Sequence, residues 1–378
     1  MVSARTPSAR TPSARTPSAR TPSTRTPSTG TLSAAVITGM GAAFPGSLDQ
    51  QSLWDEVFER RYRGDRLARR LFLGAGVRTR HGVVDPRRED VSGWSTAARM
   101  RRYVDEAPAL GGRAVRGALA DAGLSAAEVG LFVVVSCTGY ATPGLDIQLA
   151  RELGMPASVR RLLIGHMGCY GAIPGMGAAA DFVRARRLPA LVLCVELTSL
   201  HIQPEQPHRD LEQVVAHALF GDAAAAIVLV PDAAHGLEVL DTTAATAPGS
   251  EDLMTWHVTD HGFRMGLSRE VPDVLAKHVE EATASLLDPF TADRGDVAGW
   301  AVHPGGPRII DVVEERLGLA AAQTAVARRV LATRGNCSSG TVLLVLDQIR
   351  GGLAAGATAV AMAFGPGLTL CLAALRRR

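Results

Sequence analysis

The chain has 378 residues, 47% of them hydrophobic but only 4% aromatic, and carries a net charge of +3. That length suits two fused subdomains built on small side chains. The five arginines at 5, 10, 15, 20 and 25 lie in an acid-free first stretch, so removing them from +3 leaves −2 for the rest, with no basic field for nucleic acid. No apolar run reaches the roughly 18 residues of a membrane span, and the five cysteines (137, 169, 194, 337, 371) lack zinc-type spacing and read as reduced thiols.

Residues 3–27 are five near-copies of Ser-Ala-Arg-Thr-Pro. Proline at every fifth position blocks a helix and nothing there can bury a core, so 1–33 is expected to be a disordered tail. It has no apolar stretch of the secretory kind, and a cytoplasmic location is expected. A first strand is predicted at 35–38, leading into a turn at Gly39-Met40-Gly41. Short apolar, β-branched runs follow at 131–135, 190–195, 225–230, 300–302, 342–346, 357–364 and 368–372, as for strands buried on both faces. Helices are predicted at 112–122, 177–187, 272–287, 307–317 and 340–349, and 341–346 fits either state. The alternation argues an α/β layered architecture. Two halves, 34–235 and 236–378, are expected, although no repeat is visible in the letters.

Three motifs carry chemistry. In Gly165-His166-Met167-Gly168-Cys169-Tyr170-Gly171 a cysteine sits among small residues just before a helical stretch, where a helix dipole stabilises a thiolate. If that helix starts at Cys169, Pro174 should kink it. In Trp300-Ala301-Val302-His303-Pro304-Gly305-Gly306-Pro307 a histidine ends a strand and enters a loop, as catalytic groups in α/β folds do. Arg334-Gly335-Asn336-Cys337-Ser338-Ser339-Gly340 offers an asparagine that either donates to an oxyanion or serves the turn. The order Cys, His, Asn also occurs in papain-like proteases, but Cys169 is far from the start of the body and the Cys-Gly-Ser-Cys-Trp signature is absent.

Gly168-Cys169, His303-Pro304-Gly305-Gly306-Pro307, Gly335-Asn336 with Ser338-Ser339, Phe364-Gly365-Pro366-Gly367-Leu368 and Ala218-Leu219-Phe220-Gly221-Asp222 occur in the order of the type III polyketide synthases, the chalcone synthase family, and residues 34–378 resemble that family throughout. Gly262-Phe263-Arg264-Met265 resembles its bacterial branch. The resemblance implies a thiolase-like fold, a duplicated α-β-α-β-α layered sandwich, with the nucleophilic Cys169 in the first half and His303 and Asn336 in the second. It implies a homodimer that condenses malonyl-CoA onto an acyl-CoA starter, without metal or organic cofactor.

By the same resemblance, Phe220 and Met265 take the gatekeeper positions between the CoA tunnel and the inner cavity, Met265 replacing a phenylalanine. Cys137, Thr138, Thr198, His201 and Ser338 are implied to line the cavity, and Trp256 stands where plant enzymes have glycine. Thr142, with Pro143, matches a loop that crosses to the partner. Arg269, Arg308, Gly305 and Gly306 are implied CoA contacts, with Arg78 and Arg80 weaker ones; Asp222 reads as a structural anchor. Bacterial relatives make tetrahydroxynaphthalene, alkylpyrones or alkylresorcinols. The competing readings are a ketoacyl-ACP synthase III-like priming enzyme and a non-catalytic acyl-CoA-binding relative.

Overall fold

The first strand does not stop at a glycine turn. β1 (Ala35–Ala43) runs through Gly39, Met40 and Gly41 with only a register irregularity after Ile37. The two glycines serve packing instead. A Cβ at Gly39 would stand 2.1 Å from the carbonyl oxygen of Ala118, and one at Gly41 2.4 Å from that of Ala114, so only glycine lets the helix Thr96–Ala122 lie on the strand. The computed structural model describes residues 33–206, 210–290 and 293–378. The repeat at 3–27, with the tail expected there, lies outside the described residues.

The other strands are β2 (Gly46–Asp49), β3 (Thr79–Gly82), β4 (Leu131–Val135), β5 (Arg160–Ile164), β6 (Ala190–Glu196) and β7 (Ala223–Pro231), then β8 (Leu237–Thr246), β9 (Met254–Thr259), β10 (Gly262–Leu267), β11 (Val297–Val302), β12 (Thr358–Gly365) and β13 (Thr369–Arg377). Nine form one sheet in the order β11-β12-β13-β8-β1-β7-β6-β4-β5; β2 pairs β3, and β9 pairs β10. The duplication absent from the letters is present in the wiring. Along β4-β6-β7-β1 the pairings run parallel, antiparallel, antiparallel. Along β11-β12-β13-β8 they run the same way, with the strands in the same chain order. The halves join through Val36↔Glu238 and Ile37↔Leu237. The chain forms the duplicated thiolase-like sandwich.

Side chains of the first half's strands alternate between two cores. Val133, Val135, Val192, Cys194, Ile227 and Leu229 face the larger, inner core; Phe132, Val134, Leu191, Leu193 and Val228 face the outer one. This double burial explains the unbroken apolar runs. Helix Ala172–Arg186 touches β4, β6, β7, β8 and β13, and helix Thr341–Arg350 touches β7, β11 and β12, so both contact strands of each half. The ambiguous segment 341–346 is therefore helical, its apolar residues filling a middle layer.

Several elements exceed the sequence expectation. Helix Thr96–Ala122 starts well before 112, capped by Ser95 Oγ, which accepts the N–H of Ala98. It runs through Pro108 because Tyr103, Ala107, Leu110, Ala114 and Ala118 form a buried stripe. β5, β8 and β9 carry too many exposed or polar residues to read as buried strands.

Candidate active site

Cys169, His303 and Asn336 come from three loops and line one cavity of about 910 Å³. Cys169 lies on a single turn, Gly168–Tyr170, ahead of helix Ala172–Arg186. Gly168 has φ 66°, and a Cβ there would meet Cδ of Pro366 at 2.9 Å, so the Gly365-Pro366-Gly367 loop closes directly on the turn that carries Cys169. Because the helix begins at Ala172, Pro174 falls in its first turn, where a missing N–H costs no hydrogen bond and the reason to expect a kink disappears.

The thiol is not held as a thiolate by the helix, as the sequence suggests. Burial pushes Cys169 up to about 12, contacts with Ser338 and Asn336 offsetting this only in part while Glu196 adds to it. Its Sγ lies 3.8 Å from Ser338 Oγ and 4.0 Å from Asn336 Oδ1. His303 follows β11 and is fixed by its N–H, which donates to the carbonyl of Met362 at 2.8 Å. Its ring is buried, and neither Nδ1 nor Nε2 has a hydrogen-bond partner among the described residues. Burial takes its pKa from 6.5 down to about 3. Cys169 and His303 are thus both neutral in this state.

Asn336 is set by backbone pairing with Leu219 and Gly221 across the Phe220 bridge. Its Oδ1 accepts the N–H of Ser338 at 2.9 Å, and its Nδ2 approaches the carbonyl of Gly305 at 3.4 Å. The amide therefore turns its donor side toward the His303 loop.

Phe220 and Met265 border this cavity and two small inner ones, about 30 and 50 Å³. Cys137, Thr138, Thr198, Trp256 and Ser338 line the smaller, with Cys169. Trp256 stands between the inner pair, its Nε1–H donating to the carbonyl of Cys137 at 2.8 Å. His201 lines only the 50 Å³ space and acts as a strut. Its Nδ1 accepts the N–H of Phe263 at 2.9 Å, which leaves Nε2–H to donate to the carbonyl of Thr138 at 2.7 Å. Thr142 is exposed and lines none of these cavities.

Arg269, Arg308, Gly305 and Gly306 all border the large cavity, Arg308 while paired with Glu315 at 2.8 Å. Arg80 does not. It is buried and donates to the carbonyls of His217 and Phe220, a cation at the C-terminal end of helix Leu211–Leu219. Arg78 is exposed and outside the cavity. Asp222 accepts from Thr198, Ser199 and the N–H of Val83, and is an anchor.

Sequence reasoning missed Glu196. This fully buried carboxyl accepts the N–H of Cys137 at 3.0 Å, Thr138 Oγ1 at 2.8 Å and Ser339 Oγ at 2.5 Å, under the wall of the inner cavity. Burial raises its pKa. The signal was available: an acid ending the otherwise apolar run 190–195.

A buried thiol, an unpartnered imidazole and an oriented amide around one cavity, on a duplicated α/β sandwich, define the class as thiolase-fold acyltransferases. The profile of chalcone and stilbene synthases, N-terminal domain, matches residues 24–233, and that of their C-terminal domain matches 238–377. The chain belongs to this family and is a type III polyketide synthase. It is 32% identical to the alpha-pyrone synthesis polyketide synthase-like Pks18 of Mycobacterium tuberculosis over 358 residues, covering 89% of each chain. It is 36% identical to 1,3,6,8-tetrahydroxynaphthalene synthase of Streptomyces peucetius subsp. caesius over 310 residues, covering 80% of this chain and 81% of the relative. Among solved structures, PKS-I of the brown alga Ectocarpus siliculosus superposes with a TM-score of 0.84 at 29% identity, covering 93% of this chain and 100% of the other. The type III domain of Steely1 from Dictyostelium gives 0.84 at 26% identity, covering 91% and 99%.

Proposed function

We propose that Cys169 is the acyl carrier, and that His303 and Asn336 stabilise the enolate formed when malonyl-CoA loses CO₂. The observation that carries this is His303: a buried imidazole with two unpartnered nitrogens, facing the cavity that holds Cys169 and Asn336. A buried polar group without a partner is costly unless a ligand supplies one. In the first step the Cys169 proton passes to His303, sulfur attacks the starter thioester, and CoA leaves with that proton. Separately, burial opposes both charges; together, thiolate and imidazolium attract strongly in a cavity of low dielectric.

In the second step the carbon–carboxylate bond of malonyl-CoA breaks. Its electron pair forms an enolate whose charge rests on the thioester oxygen, and His303 and Asn336 Nδ2 donate there. The enolate carbon attacks the acyl carbon, and the Cys169 thiolate leaves. The extended chain returns to Cys169, and each round releases one CO₂ and one CoA. Cyclisation to a pyrone or phenol ends the sequence.

The inner space supports a short starter. About 30 Å³ beyond Cys169 holds roughly two waters, and Trp256 closes it off. The chain acts as a dimer in this reading: among the described residues β5 pairs only β4, and it bears Leu162 and Leu163, 40% and 49% exposed. An edge of that kind invites a second copy.

The test is intact-protein and product mass spectrometry with malonyl-CoA and acyl-CoAs of graded length, on wild type and Cys169→Ala. The reading expects acyl mass on the wild type alone, with short starters preferred. Acylation or condensation by Cys169→Ala rules out the nucleophile.

A further inference from the structure

Beyond the Cys169 cavity, the densest charge lies between Glu59 and Arg70. Six arginines (60, 61, 63, 66, 69, 70) stand there against two acids, in a body whose net charge is −2. Asp65 uses its carboxylate to cap helix Arg66–Leu73, accepting the N–H groups of Leu67 and Ala68. Arg61 donates to the carbonyl of Gln203 at 3.2 Å. Arg60, Arg63, Arg66, Arg69 and Arg70 are exposed, and their side chains have no hydrogen-bond or ion-pair partner among the described residues.

The place of this patch gives it meaning. Leu67, Leu71, Gly74 and Ala75 line the Cys169 cavity, so helix Arg66–Leu73 is one lip of the mouth. Arg66 and Arg70 project from the neighbouring face, toward a separate concavity shared with Arg61 and Arg63. We propose that this ridge is the landing surface for an acidic acyl carrier protein, whose phosphopantetheine arm crosses Leu67 and Leu71 to deliver a thioester to Cys169. The inference rests on the acyl-carrier role of Cys169 given above.

A thioester on a phosphopantetheine arm arrives attached either to a nucleotide or to a small protein. The nucleotide's phosphates are compact, and Arg269 and Arg308 already stand at the mouth. The ridge is broader, since Arg60 and Arg69 lie outside both cavities. The concavity beside it is also a poor phosphate seat, because Asp65, Glu205 and Asp210 line it together with the arginines. Outward, unpaired guanidinium groups spread over several turns instead complement carboxylates on a protein surface.

The chemistry is the transfer already described: the Cys169 thioester forms, the carrier thioester breaks, and the carrier leaves with its thiol protonated.

The experiment uses one short acyl group on two carriers, CoA and an acidic acyl carrier protein of fatty-acid synthesis. Acylation of Cys169 is followed by intact mass for wild type and for Arg60→Glu/Arg63→Glu/Arg69→Glu, at low and high salt. The ridge predicts that carrier-protein transfer falls about tenfold or more in the variant and weakens with salt. CoA transfer, the control for folding, should change less than about threefold. Equal losses on both carriers would assign the ridge to the nucleotide and overturn the proposal. Wild type acylated from CoA alone overturns it too, while leaving the Cys169 assignment standing. If neither carrier acylates Cys169, both fall together.

Discussion

Asn336 accepts the N–H of Ser338 through its side-chain oxygen at 2.9 Å, which fixes which end of the amide meets a ligand. Asn336→Asp keeps that acceptor and removes the Nδ2 donor. The fold should survive, and malonyl-CoA decarboxylation should slow by about 10²–10³-fold, as for loss of one oxyanion donor. Release of labelled CO₂ measures this; an unchanged rate removes Asn336 from the reaction.

His303 is neutral and buried, with a pKa taken from 6.5 to about 3. Below pH 6.5 the unfolded chain binds a proton that the native state refuses. The contribution of the neutral ring is therefore fully present above 6.5 and is lost as pH falls toward 3. His303→Asn should flatten this slope. Melting curves of both proteins at about pH 5 and about pH 7.5 should show a smaller spread for the variant, and an equal spread refutes the buried neutral ring.

Trp256 separates the two inner spaces through its bond to the Cys137 carbonyl. Trp256→Ala should join them and raise kcat/KM for medium-chain acyl-CoAs over acetyl-CoA by about tenfold or more, since each buried methylene is worth roughly that factor or above. A product profile unchanged by chromatography and mass spectrometry shows that the tryptophan does not limit chain length.

Leu163→Arg places charge on the open edge of β5. In the dimer reading this should give a monomer by light scattering, with the body still folded. A dimer that persists moves the interface elsewhere.

Much of this was legible before folding. The runs at 131–135, 190–195 and 225–230 name core strands because each is buried on both faces, and the three catalytic candidates sit at ends of elements that the sequence delimits. What was hidden depends on distant partners. Gly39 and Gly41 read as a turn until helix Thr96–Ala122 is seen to need their missing side chains. Arg80 resembles a surface cation until the carbonyls of His217 and Phe220 are found around it. Burial also raises the pKa of Cys169 against the pull of the helix, because a motif shows a nearby helix but not the water it excludes.

The last strand among the described residues is an interior one. β13 lies between β12 and β8, and β1 waits on β7 and β8 for its neighbours. During synthesis, then, β4, β6, β7 and β1 can pair, while β8 and β12 must stay apart until β13 has emerged from the ribosome. A nascent chain halted before Thr369 would carry two open apolar edges and no finished cavity, which makes such fragments prone to aggregate. Emergence of β13 is thus the condition for joining the strands of the second half.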